Sequence, residues 1–325
     1  MTTERPIRNP DHAPSYSGVL RAAEKVAQIV AATPLLPVEF EGCSFWLKAE
    51  CLQPVGAFKI RGAWHRLTDL SAEECARGVV AVSSGNHAQG VAWAARRLGM
   101  AATIVMPSDA PAIKVERTRA LGGEVLFYDR MSEDREAIAL ALTAERGATY
   151  VHAFADPWVI EGQGSAGIEI AAQLGRQPGR IVACCAGGGL TAGLALACPE
   201  AEIIPVEPEG WDDVARSLAA GSIQRVGPNP PPTACDALQA LSTAPINFTV
   251  LKRRCAFGLS VSEAEVRSAQ RFAFTHLRLV LEPGGAVALA AVLAGRVAVD
   301  DDTVVIGSGG NVDQAAFAAV LAGQD

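Results

Sequence analysis

Short runs of apolar residues alternate with alanine-rich segments of helical periodicity along most of the chain. In the first half, the apolar runs cover residues 79–82, 102–106 and 125–128, and the helical patterns cover 88–98 and 112–121. This alternation predicts repeated β-α units that form a parallel sheet. A second series runs from residue 181 to the end. It is interrupted at 227–232 by a proline-rich loop, which cannot donate to a β-ladder and is therefore expected on the surface.

Local signals mark several helix ends. Ser71 with Glu74, and Ser262 with Glu265, have the spacing of capping boxes, which predicts that helices begin there. Gly99 and Gly122 follow helical patterns and predict where those helices end.

The composition limits the class of protein. The chain has 325 residues, half of them hydrophobic, with a net charge of −7 and a pI near 5.4. This is enough to bury a large core in one or two domains. The absence of a basic cluster argues against nucleic acid or an anionic membrane as a partner. No apolar run reaches transmembrane length, and the first fifteen residues lack the apolar region of a signal peptide, so we expect a cytoplasmic protein.

The eight cysteines are scattered, and none forms a Cys-x-x-Cys pair, so neither a redox nor a zinc site is expected. Cys184 and Cys185 precede a glycine-rich turn. We interpret them as buried thiols at the end of a core strand rather than as catalytic groups.

Three turns follow strand-like runs and are rich in glycine, serine or asparagine. They are Ser83-Ser84-Gly85-Asn86-His87, Ala186-Gly187-Gly188-Gly189-Leu190-Thr191 and Gly307-Ser308-Gly309-Gly310-Asn311. The first two precede helical patterns, so their backbone amides are predicted to bind anions. Ligands of open α/β sheets bind beyond the carboxyl ends of the strands, where all three turns fall. A nucleotide-binding fold is disfavoured, because no Gly-x-Gly-x-x-Gly motif follows a first strand.

The segment Gly56-Ala57-Phe58-Lys59-Ile60-Arg61-Gly62-Ala63 presents one lysine just after a predicted buried strand. A lysine does covalent chemistry when a desolvated pocket lowers its pKa or when an aldehyde holds it as an imine. A solvated surface lysine is the ordinary alternative, but Phe58 and Ile60 on either side favour the reactive one.

Further segments appear in order along the chain. They are Thr33-Pro34-Leu35, Lys48-Ala49-Glu50-Cys51-Leu52-Gln53-Pro54, Val206-Glu207-Pro208 and Leu281-Glu282-Pro283-Gly284-Gly285. Together with the lysine segment and the three turns, they resemble the fold-type II family of pyridoxal-phosphate (PLP) enzymes. The resemblance is to the branch of threonine and serine dehydratases, hydroxyaspartate dehydratases and serine racemase, and it covers nearly the whole chain.

The resemblance implies an α/β fold like that of tryptophan synthase β, with two parallel-sheet domains and the cofactor in the crevice between them. A small α/β domain of residues 68–152 would be inserted into a large PLP-binding domain of residues 1–67 and 153–325. It also implies a homodimer. Because the chain ends soon after Asn311, we expect no regulatory domain of the kind found on biosynthetic threonine dehydratases.

The family likeness assigns roles to individual residues. Lys59 would hold the cofactor covalently and act as general base, and Phe58 would pack on the cofactor ring. Asn86 would donate to the phenolate oxygen, and Ser308 to the pyridine nitrogen. A neutral hydroxyl at that nitrogen favours elimination over transamination. The remaining cofactor contacts would come from Gly187, Gly188, Gly189, Leu190 and Glu282.

The substrate carboxylate would lie against Ser83, Ser84, Gly85, Asn86 and His87. Ser84 either only binds that carboxylate or exchanges a proton on the face of Cα opposite Lys59, as in the racemases. For His87, a structural hydrogen bond is favoured over metal binding. Arg135 either pairs with a substrate side-chain carboxylate or is a solvated helix residue. The family's first glycine of the phosphate turn is Ala186 here, which would fit poorly if its φ were positive.

Glu207 and Asp213, with the carbonyl of Trp211, match a divalent-cation site of the racemase branch. Their hard oxygen ligands suit Mg²⁺ or Ca²⁺, which would be structural or activating. The alternative is that Asp212 or Asp213 caps the helix that follows.

The sequence therefore predicts a PLP-dependent carbon–oxygen lyase. It would remove water from threonine, serine or 3-hydroxyaspartate and give a 2-oxo acid and ammonia. Two alternatives stay open: an amino-acid racemase that uses Lys59 and Ser84, and a non-catalytic carrier of the cofactor.

Overall fold

Two β-sheets organise the protein. The structure, a computed structural model, describes residues 12–110, 112–129 and 131–323. The larger sheet has six strands in the spatial order β1 (Leu35–Phe40), β2 (Cys43–Lys48), β10 (Thr303–Ile306), β7 (Arg180–Cys184), β8 (Glu202–Pro208) and β9 (Leu259–Val261). The smaller sheet has four parallel strands in the order β5 (Glu124–Tyr128), β4 (Ala102–Pro107), β3 (Val79–Val82) and β6 (Thr149–Tyr150).

The four strands of the smaller sheet all lie within residues 68–152, the segment assigned to the small domain from the sequence. The exact boundaries of the two domains stay a prediction. The outer ends of the predicted large domain, residues 1–11 and 324–325, lie outside the described residues.

The larger sheet differs in one respect from the parallel arrangement that the alternation predicts. Strand β1 is antiparallel to β2, with Phe40 opposite Cys43, whereas the other strand pairs of this sheet are parallel. The two residues between them, Glu41 and Gly42, have φ values of 49° and 80°. A two-residue turn with positive φ at both positions matches the twist of a hairpin, so these strands have to be antiparallel.

Helices cover the sheets and fill the space between them. In chain order they are α1 (Tyr16–Ala27), α2 (Lys59–Leu67), α3 (Ala72–Arg77), α4 (Asn86–Arg97), α5 (Ala112–Ala120), α6 (Arg135–Arg146), α7 (Pro157–Leu174), α8 (Gly189–Ala197), α9 (Asp213–Ala220), α10 (Pro245–Arg254), α11 (Glu263–Phe272), α12 (Pro283–Leu293) and α13 (Gln314–Leu321). None of these helices is both long enough and apolar enough to cross a bilayer, as far as the described residues show.

The predicted helix ends are confirmed. Capping boxes form at Ser71 with Glu74 and at Ser262 with Glu265. Gly99 and Gly122 follow α4 and α5 with positive φ values, a conformation that glycine adopts without steric cost.

Helix α7 is buried along most of its length and contacts α1, α2 and α8. It meets α2 where Gly162 faces Gly62, and a Cβ on Gly162 would lie 2.5 Å from the Cα of Gly62. The two backbones can approach this closely only because neither residue has a side chain. The crossing fixes the position of α2, the helix that begins with Lys59.

A buried charge network holds α2 from the other side. The Arg61 guanidinium is fully buried and donates to both carboxylate oxygens of Glu50 and of Glu169, each at 2.7 Å. Its Nη1 also donates to the Ser165 hydroxyl at 3.1 Å. Lys48, equally buried, donates to Glu169 at 2.8 Å. Both acidic partners and all five N–H bonds of the arginine fork are thus used.

We expect Arg61→Met to lower the free energy of unfolding by about 3–5 kcal/mol, because it leaves the buried Glu50 carboxylate without its counter-charge. Urea denaturation of the full chain measures the effect. Arg296→Met is the control, since Arg296 pairs with Glu265 at the surface and such pairs contribute about 1 kcal/mol or less. Equal losses in the two variants would contradict the importance of the buried network.

Candidate active site

A cavity of about 890 Å³ lies beyond the carboxyl ends of β3, β7 and β10, between the two sheets. It brings together all the residues predicted to contact the cofactor or the substrate. They are Phe58, Lys59, Ser83, Ser84, Gly85, Asn86, His87, Arg135, Gly187, Gly188, Gly189, Leu190, Glu282 and Ser308. The predicted cation ligands Glu207, Trp211 and Asp213 do not line this cavity.

Lys59 is the first residue of α2 and does not directly follow a strand as the sequence suggested. Its backbone is held by neighbouring segments: Ala57 bridges to Gly309, and α4 passes so close that a Cβ on Gly90 would lie 3.2 Å from the Lys59 carbonyl. Its amine donates to the backbone carbonyl of Ala153 at 2.9 Å. Burial lowers the pKa of the amine to about 8, so a larger share of it is the neutral nucleophile near neutral pH.

The turn Ser83–His87 leads from β3 into α4, whose first N–H groups face the cavity without intrahelical partners. The Ser83 hydroxyl accepts from the amide of Gly85 at 3.1 Å. The Ser84 hydroxyl lines the cavity and has no hydrogen bond to another described residue. Such a helix start suits a carboxylate.

His87 has a structural hydrogen bond, as expected from the sequence. Its Nε2 donates to the carbonyl of Val151 at 2.9 Å, so the ring links α4 to the end of β6. Burial lowers the pKa of the ring to about 3, and the imidazole is therefore neutral.

Asn86 and Glu282 meet at the base of the cavity. The Asn86 amide donates to Glu282 Oε1 at 2.5 Å, and both side chains are buried. Burial raises the pKa of Glu282 to about 7. The carboxylate occupies the space beside Gly309, where a Cβ would lie 1.9 Å from Oε1.

The triglycine turn forms the start of α8. Gly188, the N-cap residue, has a φ of 92°, and the ring of Phe154 lies where a Cβ on Gly187 would be. Ala186 is not among the residues with positive φ, so alanine fits its place in the turn. The free N–H groups at the start of α8 and the lack of side chains on the turn fit a phosphate dianion.

Ser308 lies in the cavity next to Cys184, whose contact with it was not predicted from the sequence. The thiol of Cys184 donates to the Ser308 hydroxyl at 3.1 Å. Burial raises the pKa of Cys184 to about 11, so it remains a protonated donor. The hydroxyl of Ser308 keeps its own proton for a group in the cavity. A hydroxyl here fits the unprotonated nitrogen of a pyridine ring.

Arg135 begins α6 at the wall of the cavity, on the side of the smaller sheet. Its side chain is about half exposed (52%), and its Nε lies 4.0 Å from Glu136. It is therefore both a helix-surface residue and a cation at the wall of the cavity.

Tyr150 and His152 complete this wall and were missed in the sequence. The Tyr150 hydroxyl donates to Glu136 at 2.5 Å, and His152 Nδ1 accepts from the amides of Phe154 and Ala155. The ring proton of His152 is thus on Nε2. Both residues lie at the carboxyl end of β6. Ligands of open α/β sheets bind beyond the carboxyl ends of the strands, and this signal could have found them.

The predicted cation ligands lie in a separate buried cluster. Both oxygens of Glu207 accept from helix amides, those of Val214 and Ala215, and Asp213 Oδ2 accepts from the amide of Thr243. Glu207 therefore caps α9. The alternative of a cap by Asp212 or Asp213 is wrong, because Asp212 makes no capping hydrogen bond and Asp213 accepts from Thr243, outside the helix.

Asp213 Oδ1 is buried and has no hydrogen-bond partner among the described residues. Burial first, and then the charge of Asp213, raise the pKa of Glu207 well above its usual range. Two buried carboxylates with one free oxygen fit a cation. However, no group of three His, Cys, Asp or Glu side chains suited to a metal is found in the described residues, so a carbonyl oxygen would have to complete the site.

All eight cysteines are free thiols, and Cys184 and Cys185 are buried, as interpreted from the sequence.

The family model "Pyridoxal-phosphate dependent enzyme" matches residues 26–309. The chain is 39% identical over 318 residues to an L-threo-3-hydroxyaspartate ammonia-lyase of Pseudomonas sp, with 95% of this chain and 99% of that protein covered. It is 35% identical to the serine racemase of Schizosaccharomyces pombe, with 95% and 97% covered. The crystal structure of a T.th. threonine deaminase superposes on this chain with a TM-score of 0.85 at 42% identity, covering 92% of this chain and 99% of that one.

The lowered pKa of Lys59 predicts a pH-dependent stability of the cofactor-free protein. The folded state holds the lysine proton less tightly than the unfolded state, so the protonated Lys59 destabilises the fold. This loss of stability is full below about pH 8 and disappears as the pH rises from about 8 to 10.5. We expect Lys59→Met to be more stable than the natural protein by about 1–3 kcal/mol at pH 7, and the gap to close above pH 10.

Denaturation of both proteins across this pH range measures the gap, and effects of other groups cancel in the difference. Lys252→Met, at an exposed lysine, is the control. A gap that does not change between pH 7 and 10.5 would contradict the lowered pKa.

Proposed function

Since the chain belongs to the pyridoxal-phosphate-dependent enzyme family, we propose that it is an ammonia-lyase that removes water from a β-hydroxy amino acid. The observation that carries this proposal is Lys59: its desolvated amine enters a cavity that also holds an anion-binding turn and a phosphate-binding turn. Among the candidates serine, threonine and 3-hydroxyaspartate, we favour the last, because the similar Pseudomonas protein is named for it.

The chain's own residues account for the binding of the cofactor. Lys59 Nζ would hold it covalently, the amides of Gly187–Leu190 would bind its phosphate, Asn86 its phenolate oxygen and Ser308 its pyridine nitrogen. When bound, pyridoxal phosphate supplies an electron sink for the charge that develops at the substrate Cα. Phe58, adjacent to Lys59 and 5.1 Å from its amine, would pack on the ring.

The substrate would be oriented by the start of α4. The amides of the turn 83–87 would bind its α-carboxylate in the cavity that Lys59 also lines. Once the substrate amino group has displaced it, the neutral amine of Lys59 would take the Cα proton, and the β-hydroxyl takes up one proton and leaves as water. The enamine product, once released, is hydrolysed to the 2-oxo acid and ammonia. The net reaction consumes no oxidant or reductant.

A divalent cation held by Glu207, Asp213 and the carbonyl of Trp211 would stabilise the protein rather than take part in the chemistry, because this cluster does not line the cavity. A cytoplasmic location and a homodimeric state remain predictions.

Serine or aspartate racemisation is the second candidate, favoured by the free hydroxyl of Ser84 in the cavity and by the similarity to a serine racemase. Inversion needs a proton donor on the face of Cα opposite Lys59, and Ser84 would supply it. Elimination does not need that donor.

Release of 2-oxo acid from L- and D-serine, L-threonine, and threo- and erythro-3-hydroxyaspartate tests the function. We expect the highest kcat/KM with a 3-hydroxyaspartate, and a rate at least about 10³-fold lower in Lys59→Met, which lacks the base. Chiral analysis of the remaining substrate measures racemisation in parallel. If Ser84→Ala loses inversion but keeps elimination, the second activity is real. No 2-oxo acid from any substrate would refute the lyase.

Arg135→Gln tests how the substrate side chain is recognised. If Arg135 pairs with the β-carboxylate of 3-hydroxyaspartate, the variant loses about 10- to 100-fold in kcat/KM for this substrate and little for serine. Arg146→Gln, at the other end of α6 and paired with Glu124, is the matched control. Equal losses for both substrates would assign Arg135 to the fold instead.

A further inference from the structure

The side-chain amide of Asn86 lies between two partners that bind its two ends. Its Nδ2 donates to Glu282 Oε1 at 2.5 Å, and its Oδ1 accepts from Asn311 Nδ2 at 2.8 Å. Because one end of a carboxamide donates and the other accepts, a rotation by 180° would exchange these roles. The partners of Asn86 therefore decide which of the two orientations its amide takes.

Asn311 has only one possible orientation. Its Nδ2 also donates to the backbone carbonyl of Val55 at 2.8 Å, and its Oδ1 accepts from Arg117 Nη1 at 3.3 Å. A carbonyl can only accept and a guanidinium can only donate, so neither partner tolerates a flipped Asn311. The Nδ2 of Asn311 must then face Asn86, and Asn86 must present its oxygen to it.

The surroundings of Asn311 are shaped to hold this side chain. A Cβ on Gly56 would lie 2.7 Å from Asn311 Oδ1, and the amide of Gly310 donates to the carbonyl of Gly56 at 2.8 Å. The turn after β10 is thus fastened to the loop that precedes Lys59. Arg117, the other contact, belongs to α5, on the side of the smaller sheet.

We propose that Asn311 is a positioning residue, which orients the amide of Asn86 so that its two N–H bonds face Glu282 and the phenolate oxygen of the cofactor. One N–H is used by Glu282, and the second is free for the phenolate. In the flipped orientation, Asn86 Oδ1 would face the phenolate and, once Glu282 is ionised, its carboxylate, so three acceptors would meet. The inference rests on the cofactor assignment made under the proposed function.

Asn311→Asp is the most direct test. An aspartate cannot donate to Asn86 Oδ1, and it competes with Glu282 for the N–H groups of Asn86. In the holoenzyme, we expect the visible band of the cofactor to shift towards the form with a protonated phenol. We also expect cofactor affinity to fall about 10- to 100-fold, measured by retention on dialysis and by titration. Asn229→Asp, in the exposed proline-rich loop, makes the same chemical change and should alter neither.

A double-mutant cycle separates positioning from general loosening of the fold. If Asn311 acts through Asn86, then Asn311→Ala shifts the band and weakens cofactor binding in the natural background but has no further effect in Asn86→Ala. Thermal unfolding of each variant shows whether the fold is kept. Asn311→Ala adds no charge, so it tests whether Asn311 acts through Asn86 even if Asn311→Asp does not fold.

The outcomes distinguish this inference from the proposed function. Equal effects of Asn311→Ala in both backgrounds, or an unchanged band in Asn311→Asp, would overturn the positioning role while the cofactor assignment stands. A natural protein that shows no visible band with pyridoxal phosphate would overturn both.

Discussion

The pairing of Arg61 with Glu50 and Glu169 is the interaction on which the site depends. All three side chains belong to different segments, and the guanidinium is fully buried. A buried ion pair is a poor source of stability by itself, because both charges lose their hydration. Here every N–H bond of the fork has an acceptor, which limits that cost and leaves one geometry for α2. The helix begins two residues earlier with Lys59, so the network sets where the reactive amine lies.

The remaining groups reach the amine from both sheets. Parallel strands have their carboxyl ends at one edge, so the turns after β3, β7 and β10 meet in the same cleft. The low polarity of this cleft then decides the protonation of its groups: burial lowers the pKa values of Lys59 and His87 and raises those of Glu282 and Cys184. His87 and Cys184 are therefore uncharged near neutral pH, whereas Lys59 and Glu282 change protonation close to it.

The two sheets contribute different parts of this site. The phosphate turn, Glu282 and Ser308 come from the segments of the larger sheet, whereas Arg135, Tyr150 and His152 come from the smaller one. The ion pair of Lys114 with Asp236 and the contact of Arg117 with Asn311 join α5 to the opposite side of the cleft. Asn86, assigned to the cofactor, also follows a strand of the smaller sheet, so both sheets contribute to cofactor binding.

The sequence alone determined the α/β class and the helix ends, because these depend on local periodicity and capping. The resemblance of its short motifs to a known family pointed to part of the lining of the cleft. The sequence did not reveal the antiparallel β1, whose direction follows from the backbone angles of Glu41 and Gly42. It also missed Cys184, His152 and Asn311 as partners of the site. The cap of α9 by Glu207 was hidden for the same reason: its partners are seven and eight residues away and beyond a turn. Which donor meets which acceptor depends on distances between segments far apart in the chain, such as Val55 and Asn311, which are 256 residues apart. Only the folded chain sets these distances.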